Sequence, residues 1–396
     1  MIPTVGRQIA RVCSRRVVLL LVAGVAMNAQ SSPSSASLER LETLGKLWAA
    51  VKYFHPRLGY DLALNWDQAI LDAVPEVLGN ADEGRYRATV ERMLDRLEDS
   101  ATRVVSSRTS EKADTDATPV FEWTTPAILT IRLHALGALQ SEAAEPTLAQ
   151  LKSALTKARA IIFDARAPAW GEPTLSNAAL RLEQTGLIGA TDAGPLVLPA
   201  ERRRMHFGYT DDGISKACCM HSGFYTMNGR VITERARPDL RGVVLVDAIA
   251  AVPAALYGLR RQGRVMFVGS DGPSDQLLVT THIIPLAGGL RAQVRLGQLV
   301  DTSGPVGNPL DARVPAAHDA HDDTGLAVSV RLLSRRWQMP ASPAQPVPAL
   351  GMATAEIEYR SPSLPDVSHR VLAAVRIWAA INYLYPYKSL LHDSGA

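Results

Sequence analysis

Lysine is scarce in this chain. Of 42 basic residues in 396 positions only seven are lysine, at 46, 52, 112, 152, 157, 216 and 388. None falls between 217 and 387, so no amine from that stretch can serve as a base. Cysteine is scarcer still: Cys13, Cys218 and Cys219. A bridge between neighbours is strained, so 218 and 219 read as two reduced, partly buried thiols rather than a disulfide framework. An excess of one charge is also missing. The formal net charge is +3, and residues 1–29 hold Arg7, Arg11, Arg15 and Arg16 with no acid, which leaves the remainder at −1. A near-neutral body has no field with which to gather nucleic acid or anionic lipid. What is present, 47% hydrophobic and 20% charged residues, is globular composition with room for two or three cores. It excludes collagen, coiled coil and wholesale disorder.

Residues 1–29 read as an export signal. Arg7 to Arg16 form a positive start, and Val17–Met27 is an apolar run of 11 residues, shorter than the roughly 20 needed to span a bilayer. Small residues follow, with a cut expected at Ala29–Gln30. Ser14-Arg15-Arg16 has a weak twin-arginine character, and an uncleaved anchor is the competing reading. No later segment reaches transmembrane length. Residues 30–37 are a Ser/Pro tether, and the mature chain is expected in the periplasm or outside the cell.

Three helices on short connections are expected over 38–99. Leu41, Leu44, Leu47, Trp48 and Val51 form one apolar stripe, Pro56 ends it, Asn65-Trp-Asp opens a second helix, and 82–98 forms a third. Residues 100–118 are a polar loop. From 119 the period changes to strands at 120–123, 128–133, 160–164, 243–247 and 265–269. Helices alternate with them near 143–157, 174–184 and 250–261. A hairpin is expected at 277–296 around Gly288-Gly289. Residues 201–240 show little periodicity. This alternation means an α/β domain, 119–335, with a largely parallel sheet. A Pro-rich linker and strand, 336–367, follows.

One repeat is present. Residues 40–56 (RLETLGKLWAAVKYFHP) align without gaps to 370–386 (RVLAAVRIWAAINYLYP) at an offset of 330, with Arg, Trp, Ala, Ala, Tyr and Pro identical. The second copy, within 368–396, has no partner helices beside it in sequence. Either it docks on the first module, or the chain is a shortened form of a two-module protein; the second is the expectation.

Several segments in order resemble the C-terminal-processing (tail-specific, tricorn-like) serine peptidases: LGKLWAAVKYFHP (44–56), LEDSATRV (97–104), RAIIFDAR (159–166), HSGFYT (221–226), VVLVDAIAAVPAALYGL (243–259), GRVMFVGSDGPSD (263–275) and GGLRAQVRLGQLVDTSGPV (288–306). The resemblance covers about 38–330. It implies an α/β fold with a Clp-protease/crotonase-like strand-strand-helix core behind an N-terminal three-helix bundle. It implies extended peptides or protein C-termini as partners, and no cofactor. It also implies a serine at the start of a helix after a core strand, where helix amides stabilise an oxyanion, and a lysine base on the next loop. The nucleophile position falls at Val252, one turn into the helix after Asp247, and 247–262 holds no Ser, Thr or Cys. The base position falls near Asp275, and a His of some members falls at Ala101. The expectation is an exported, peptide-binding, catalytically impaired homologue. The alternatives are an active serine-type peptidase with an atypical nucleophile and a helical interaction module.

Other groups have two readings each. Ser222 beside His221, with Ser270 and Ser274, would supply an unrelated nucleophile, or are loop hydroxyls satisfied by backbone. His318 and His321 with neighbouring Asp would hold a divalent metal, or form a solvated acidic loop; no metal is expected. Arg202-Arg203-Arg204 would grip a carboxylate, or are a surface charge run. Asp164 and Arg166, at a strand end, pin the first loop of the core, with a place facing a peptide groove as the other reading; Tyr209, Ser222, Gly223 and Tyr225 are further candidates for that groove. Trp48, Tyr53, Phe54 and His55 read as bundle core.

Overall fold

A computed structural model describes residues 34–61, 63–79, 82–105, 118–166, 171–192, 194–207, 221–236, 240–301, 304–315, 323–335, 359 and 364–385. The export signal, Cys218, Cys219, Tyr209, His318, His321 and residues 336–358 lie outside them. The described helices are α1 (Ser35–Phe54), α2 (Trp66–Leu78), α3 (Glu83–Asp95), α4 (Leu133–Ala138), α5 (Ser141–Lys157), α6 (Glu172–Gln184), α7 (Ala254–Arg261), α8 (Thr324–Ser334) and α9 (Val367–Leu384). The strands are β1 (Arg103–Val105), β2 (Phe121–Thr125), β3 (Ile128–Arg132), β4 (Ala160–Asp164), β5 (Leu196–Val197), β6 (Ala200–Phe207), β7 (His221–Thr226), β8 (Val231–Ile232), β9 (Arg241–Val246), β10 (Val265–Gly269), β11 (Thr281–Pro285), β12 (Arg291–Arg295), β13 (Gly297–Asp301), β14 (Gly304–Pro305) and β15 (Ala312–Arg313).

The central sheet has the order β15-β10-β9-β4-β3-β2. It is parallel except for the β2–β3 hairpin. Strands β4, β9 and β10 are apolar runs buried on both faces, as parallel strands must be. One face carries Leu133, Leu148, Leu182 and Leu256 from α4 to α7; the other carries Leu326 and Val330 of α8. A second sheet, β14-β13-β6-β7, is antiparallel. The stretch 201–240, aperiodic as a sequence, thus supplies β6 and β7. Their side chains bear on partners on both sides, so apolar and polar residues do not alternate cleanly.

Three expectations need correction. Residues 35–37 belong to α1 rather than the tether, because the Ser34 side chain accepts from the Ser37 N–H at 3.1 Å and starts the helix there. The hairpin β11–β12, with Gly288 and Gly289 at φ 70° and 75° in its turn, buries Ile284, Ala292 and Val294 among the helices rather than in the α/β core. Finally, the copy of the repeat is partnered: α9 packs on α1 and α2, and its Val371, Leu372, Val375 and Ala379 join their core. The first three helices therefore share their core with a fourth, and Trp378 is half-buried against it.

Equivalent positions of the repeat meet. Gly45 lies against Val375, where a β-carbon would sit 2.6 Å from a valine methyl. About two turns further on, the Tyr53 and Tyr383 rings are 6.0 Å apart. Contacts at both places require α1 and α9 to run side by side in the same direction and in register. The pair is also tied electrostatically. Asp67 at the start of α2 is 1% exposed and is held by Arg376 of α9 and by Lys52 of α1 at 3.4 Å. An unpaired buried carboxylate is costly, so this contact fixes where α9 sits. Replacing Arg376 by leucine is expected to lower unfolding stability in urea by about 2–4 kcal/mol, whereas Lys46→Ala, which removes an exposed pair with Glu42, changes it by less than about 0.5 kcal/mol.

Candidate functional site

The resemblance assigns chemistry to Val252, Asp275 and Ala101, and the fold brings all three close to one buried ion chain. The strand–turn–helix runs from β9 through Ala250–Pro253 into α7. Val252 precedes the helix rather than lying a turn inside it: Pro253 occupies the N-cap, and α7 begins at Ala254. Proline suits that boundary because its φ is set and it has no N–H to satisfy. The Val252 side chain is wholly buried and belongs to the apolar core with Leu256 and Phe267. Beside it, Ala251 pairs in parallel with Ser274, whose N–H donates to the Ala250 carbonyl at 3.0 Å. Asp275 follows, 8% exposed.

Asp275 is engaged. Arg295 of β12 donates to both its oxygens, at 2.8 and 2.6 Å. The same guanidinium donates through Nε to Asp99 Oδ1 at 2.9 Å. Asp99 also accepts from the Ala101 N–H at 3.1 Å and from the Thr102 hydroxyl at 2.6 Å. His55 closes the chain. Its Nδ1 accepts from the Arg57 N–H at 3.3 Å, so Nε2 carries the proton and donates to Asp99 Oδ2 at 3.1 Å. The burial that surrounds Asp99 would raise its pKa; bonds from His55 and Arg295 overcome this and hold it far below the usual carboxylate range. Burial would lower Arg295, and the bonds to Asp275 and Asp99 instead raise it. Burial also pushes His55 down, against the pull of Asp99, so the ring is neutral at pH 7. Where the peptidase pattern needs hydroxyl, amine and imidazole, this site presents an isopropyl, a carboxylate locked to arginine and a methyl. Tyr257, on α7, is 5% exposed with a hydroxyl that meets no partner among the described residues; burial raises its pKa, so it stays protonated.

The peptide-groove candidates separate into two places. Asp164 and Arg166 lie at the end of β4. Arg166 donates to both oxygens of Asp164 (2.9 and 2.8 Å) and to both of Asp323 (2.9 and 2.8 Å), while Asp323 caps α8 through the Leu326 N–H. The pair pins α8 to the sheet rather than facing an open groove. Ser222, Gly223 and Tyr225 lie on β7, the outer strand of its sheet among the described residues, with Tyr225 40% exposed. Ser270 and Ser274 serve loop geometry: the Ser274 hydroxyl accepts from the Gln276 N–H, and the Ser270 carbonyl accepts from Arg313.

Arg202, Arg203 and Arg204 are not a surface charge run. Arg202 is 7% exposed, donates to Gln298 Oε1 at 2.9 and 2.7 Å and stacks over Phe224. Arg203 holds Glu201 at 2.9 Å. Arg204 donates to the carbonyls of Lys52 and His55 at 2.8 and 3.3 Å, at the end of α1, and burial pushes its pKa down to about 10. His206, two positions on, donates from Nε2 to the Tyr53 carbonyl, and its Nδ1 meets Ser222 Oγ at 2.7 Å. Burial lowers its pKa too. His206, Asp99 and Arg295 were not candidates in the sequence, because their partners lie on other elements; the resembling segments 97–104 and 288–306 contain Asp99 and Arg295 without giving either a role. Among the described residues, no group of three His, Cys, Asp or Glu side chains is placed to hold a metal, and no helix is long and apolar enough to cross a membrane.

A histidine depressed in the fold takes a proton more readily when unfolded. Stability from His55 and His206 is therefore full above about pH 6.5 and is lost as pH falls below it. Asp99, also depressed, adds a loss only below the ordinary aspartate pKa of about 3.9. The melting temperature is thus expected to fall as pH drops from about 7 to about 5. His55→Gln, which keeps a donor for Asp99, should flatten that slope in scanning calorimetry.

No protein-family model matches the chain, and no curated protein matches it. Among solved structures, a "putative peptidase" from Parabacteroides merdae is similar at 14% identity over 77% of this chain and 98% of that one, with a TM-score of 0.50. A lipoprotein from Streptococcus agalactiae (13% identity, 78% and 99% covered, TM-score 0.43) and the photosystem II D1 C-terminal processing protease (12%, 77% and 98%, 0.38) are also similar. At 14% identity the first likeness is one of fold alone: the chain shares the mixed α/β fold of that structure.

Proposed function

We propose that this chain is an exported, peptide-binding relative of the tail-specific serine peptidases, with a Clp-protease/crotonase-like core, that performs no acyl transfer at its strand–turn–helix. The observation that carries this is the pairing of a buried Val252 with an Asp275 already saturated by Arg295. Valine offers no lone pair, and a carboxylate bonded twice to a guanidinium is a poor proton acceptor.

An extended peptide would add beside β7, the outer strand among the described residues, using its free backbone groups, with Ser222 and Gly223 within the strand and the exposed Tyr225 at its margin. A free C-terminus is the natural end for such a strand in this fold.

Labelled 12-residue peptides of mixed sequence with free carboxyl ends provide the test. Anisotropy should report saturable binding to residues 30–396, and mass spectrometry should find the peptides intact after a day. Cleaved peptide, or affinity no greater than for unfolded carrier protein, overturns the reading. The site itself gives a sharper prediction. Val252→Ser is expected to yield no peptidase turnover, because the sequence holds no lysine between 217 and 387 and Asp275 stays locked to Arg295. It should also cost about 1–3 kcal/mol of stability in urea, the cost of a buried hydroxyl without a partner.

A further inference from the structure

The cross-strand pair on β6 and β7 has the layout of a nucleophile with its base. His206 and Ser222 are register partners, so both side chains leave the same face of the sheet and meet at 2.7 Å. The Tyr53 carbonyl accepts from His206 Nε2, which leaves the lone pair on Nδ1 to accept the Ser222 hydroxyl proton. The rings of Tyr53 and Phe54 stand edge-on to the imidazole at 5.5 and 6.0 Å and hold its plane. We infer that Ser222 is an acyl-accepting nucleophile, with His206 as its base and the Tyr53 carbonyl as the orienting third member, whose substrates are activated acyl esters.

A helix cap alone accounts for the bond from Nε2 to Tyr53 but not for a hydroxyl directed at Nδ1. In the relay each group has a use. The carbonyl end of α1 carries the negative end of the helix dipole, which stabilises the imidazolium formed when His206 takes a proton. Burial, with a smaller part from Arg204 on the same face, bonded to the neighbouring carbonyls of Lys52 and His55, acts the other way and lowers the pKa of the resting ring. The base is half-buried, whereas Ser222 lies partly exposed on an outer strand, at the joint between the sheet and the helical layer where ligands tend to sit.

In the first step Ser222 Oγ bonds to the ester carbonyl carbon and its proton passes to His206 Nδ1. The carbon–oxygen bond to the leaving group then breaks with its electron pair, and the alcohol departs with the proton from His206. Water attacks the acyl-serine in the second step, losing a proton to His206 and releasing the acid; the proton returns to Oγ. An aryl or similarly acidic alcohol leaves without strong protonation, which is why activated esters rather than amides fit a single imidazole. This site is separate from Val252 and does not rest on the peptide-binding reading.

The folded chain, residues 30–396, is treated with a biotinylated alkyl fluorophosphonate and, separately, with p-nitrophenyl acetate, and adducts are mapped by peptide mass spectrometry. One adduct at Ser222 is expected, with none in Ser222→Ala and a rate lowered about 100-fold in His206→Gln. Because His206 also caps α1, Ser222→Cys is a second variant: its thiol should react with iodoacetamide at least about 10-fold faster at pH 7 in the folded protein than in urea. Absence of an adduct, an adduct at Ser270 or Ser274, equal labelling in urea, or an unchanged rate in folded His206→Gln overturns the assignment. Peptide affinity is read apart from this by anisotropy, so loss of one reading leaves the other standing.

Discussion

The guanidinium of Arg295 is the constraint around which the two layers are joined. It sits on the hairpin that packs with the helices, yet half of its bonds go to Asp275 in the loop after β10 of the central sheet. Its Nε donates to Asp99, which with His55 and Thr102 closes the first three helices, and a longer bond of 3.5 Å reaches the Gly297 carbonyl. Burying one cation between two carboxylates is tolerable only because nearly every lone pair in the chain is met; each ion alone would lose several kcal/mol of hydration. The arrangement also decides chemistry. A permanent, strongly bonded cation holds the loop for which the resemblance implied a neutral amine, and it keeps Asp275 from acting as a base.

The second joint is the carbonyl end of α1. Arg204 and His206 leave β6 on one face and meet the last carbonyls of that helix, so a strand satisfies groups that a helix end cannot satisfy for itself. Next to it, α9 lies along α1 in register, with a glycine against valine at one contact and tyrosine against tyrosine at the other. A repeat that is 330 residues away in sequence has thus become the neighbour of its own first copy. Both joints carry buried charge, at Asp67 and at Asp99, so the helical layer owes its placement to ion pairs as much as to its apolar stripe.

Much of the scaffold was legible in the residues. The strands 160–164 and 265–269 appear at their expected bounds, since short apolar runs between turn signals have few other solutions. The helix expected to open at Asn65-Trp-Asp starts at Trp66, and the one expected at 174–184 begins two residues earlier, at Glu172. The site was legible in part. Val252, Asp275 and Ala101 were located through the resemblance, and the structure gathers them at one ion chain. The partners that define that chain were not. Arg295 looks like any outward residue of a hairpin, and His206 sits in a stretch with no clear period. Asp164 and Arg166, at the end of a parallel strand, were legible as a pin for the adjoining loop or as groove residues, but that Asp323 from far down the chain is the partner of the arginine was not.

Sequence alone determined the elements and the absences. The apolar periods set helices and strands, and the lack of lysine over 217–387 removed one kind of base whatever the fold. Tertiary structure decided which charges are satisfied and by whom. A side chain's period reports only the face it occupies, whereas its hydrogen-bond partner depends on the register of another strand or the approach of another helix. That is why the sequence offers Ser222 its neighbour His221, while the fold pairs it with His206 across the sheet.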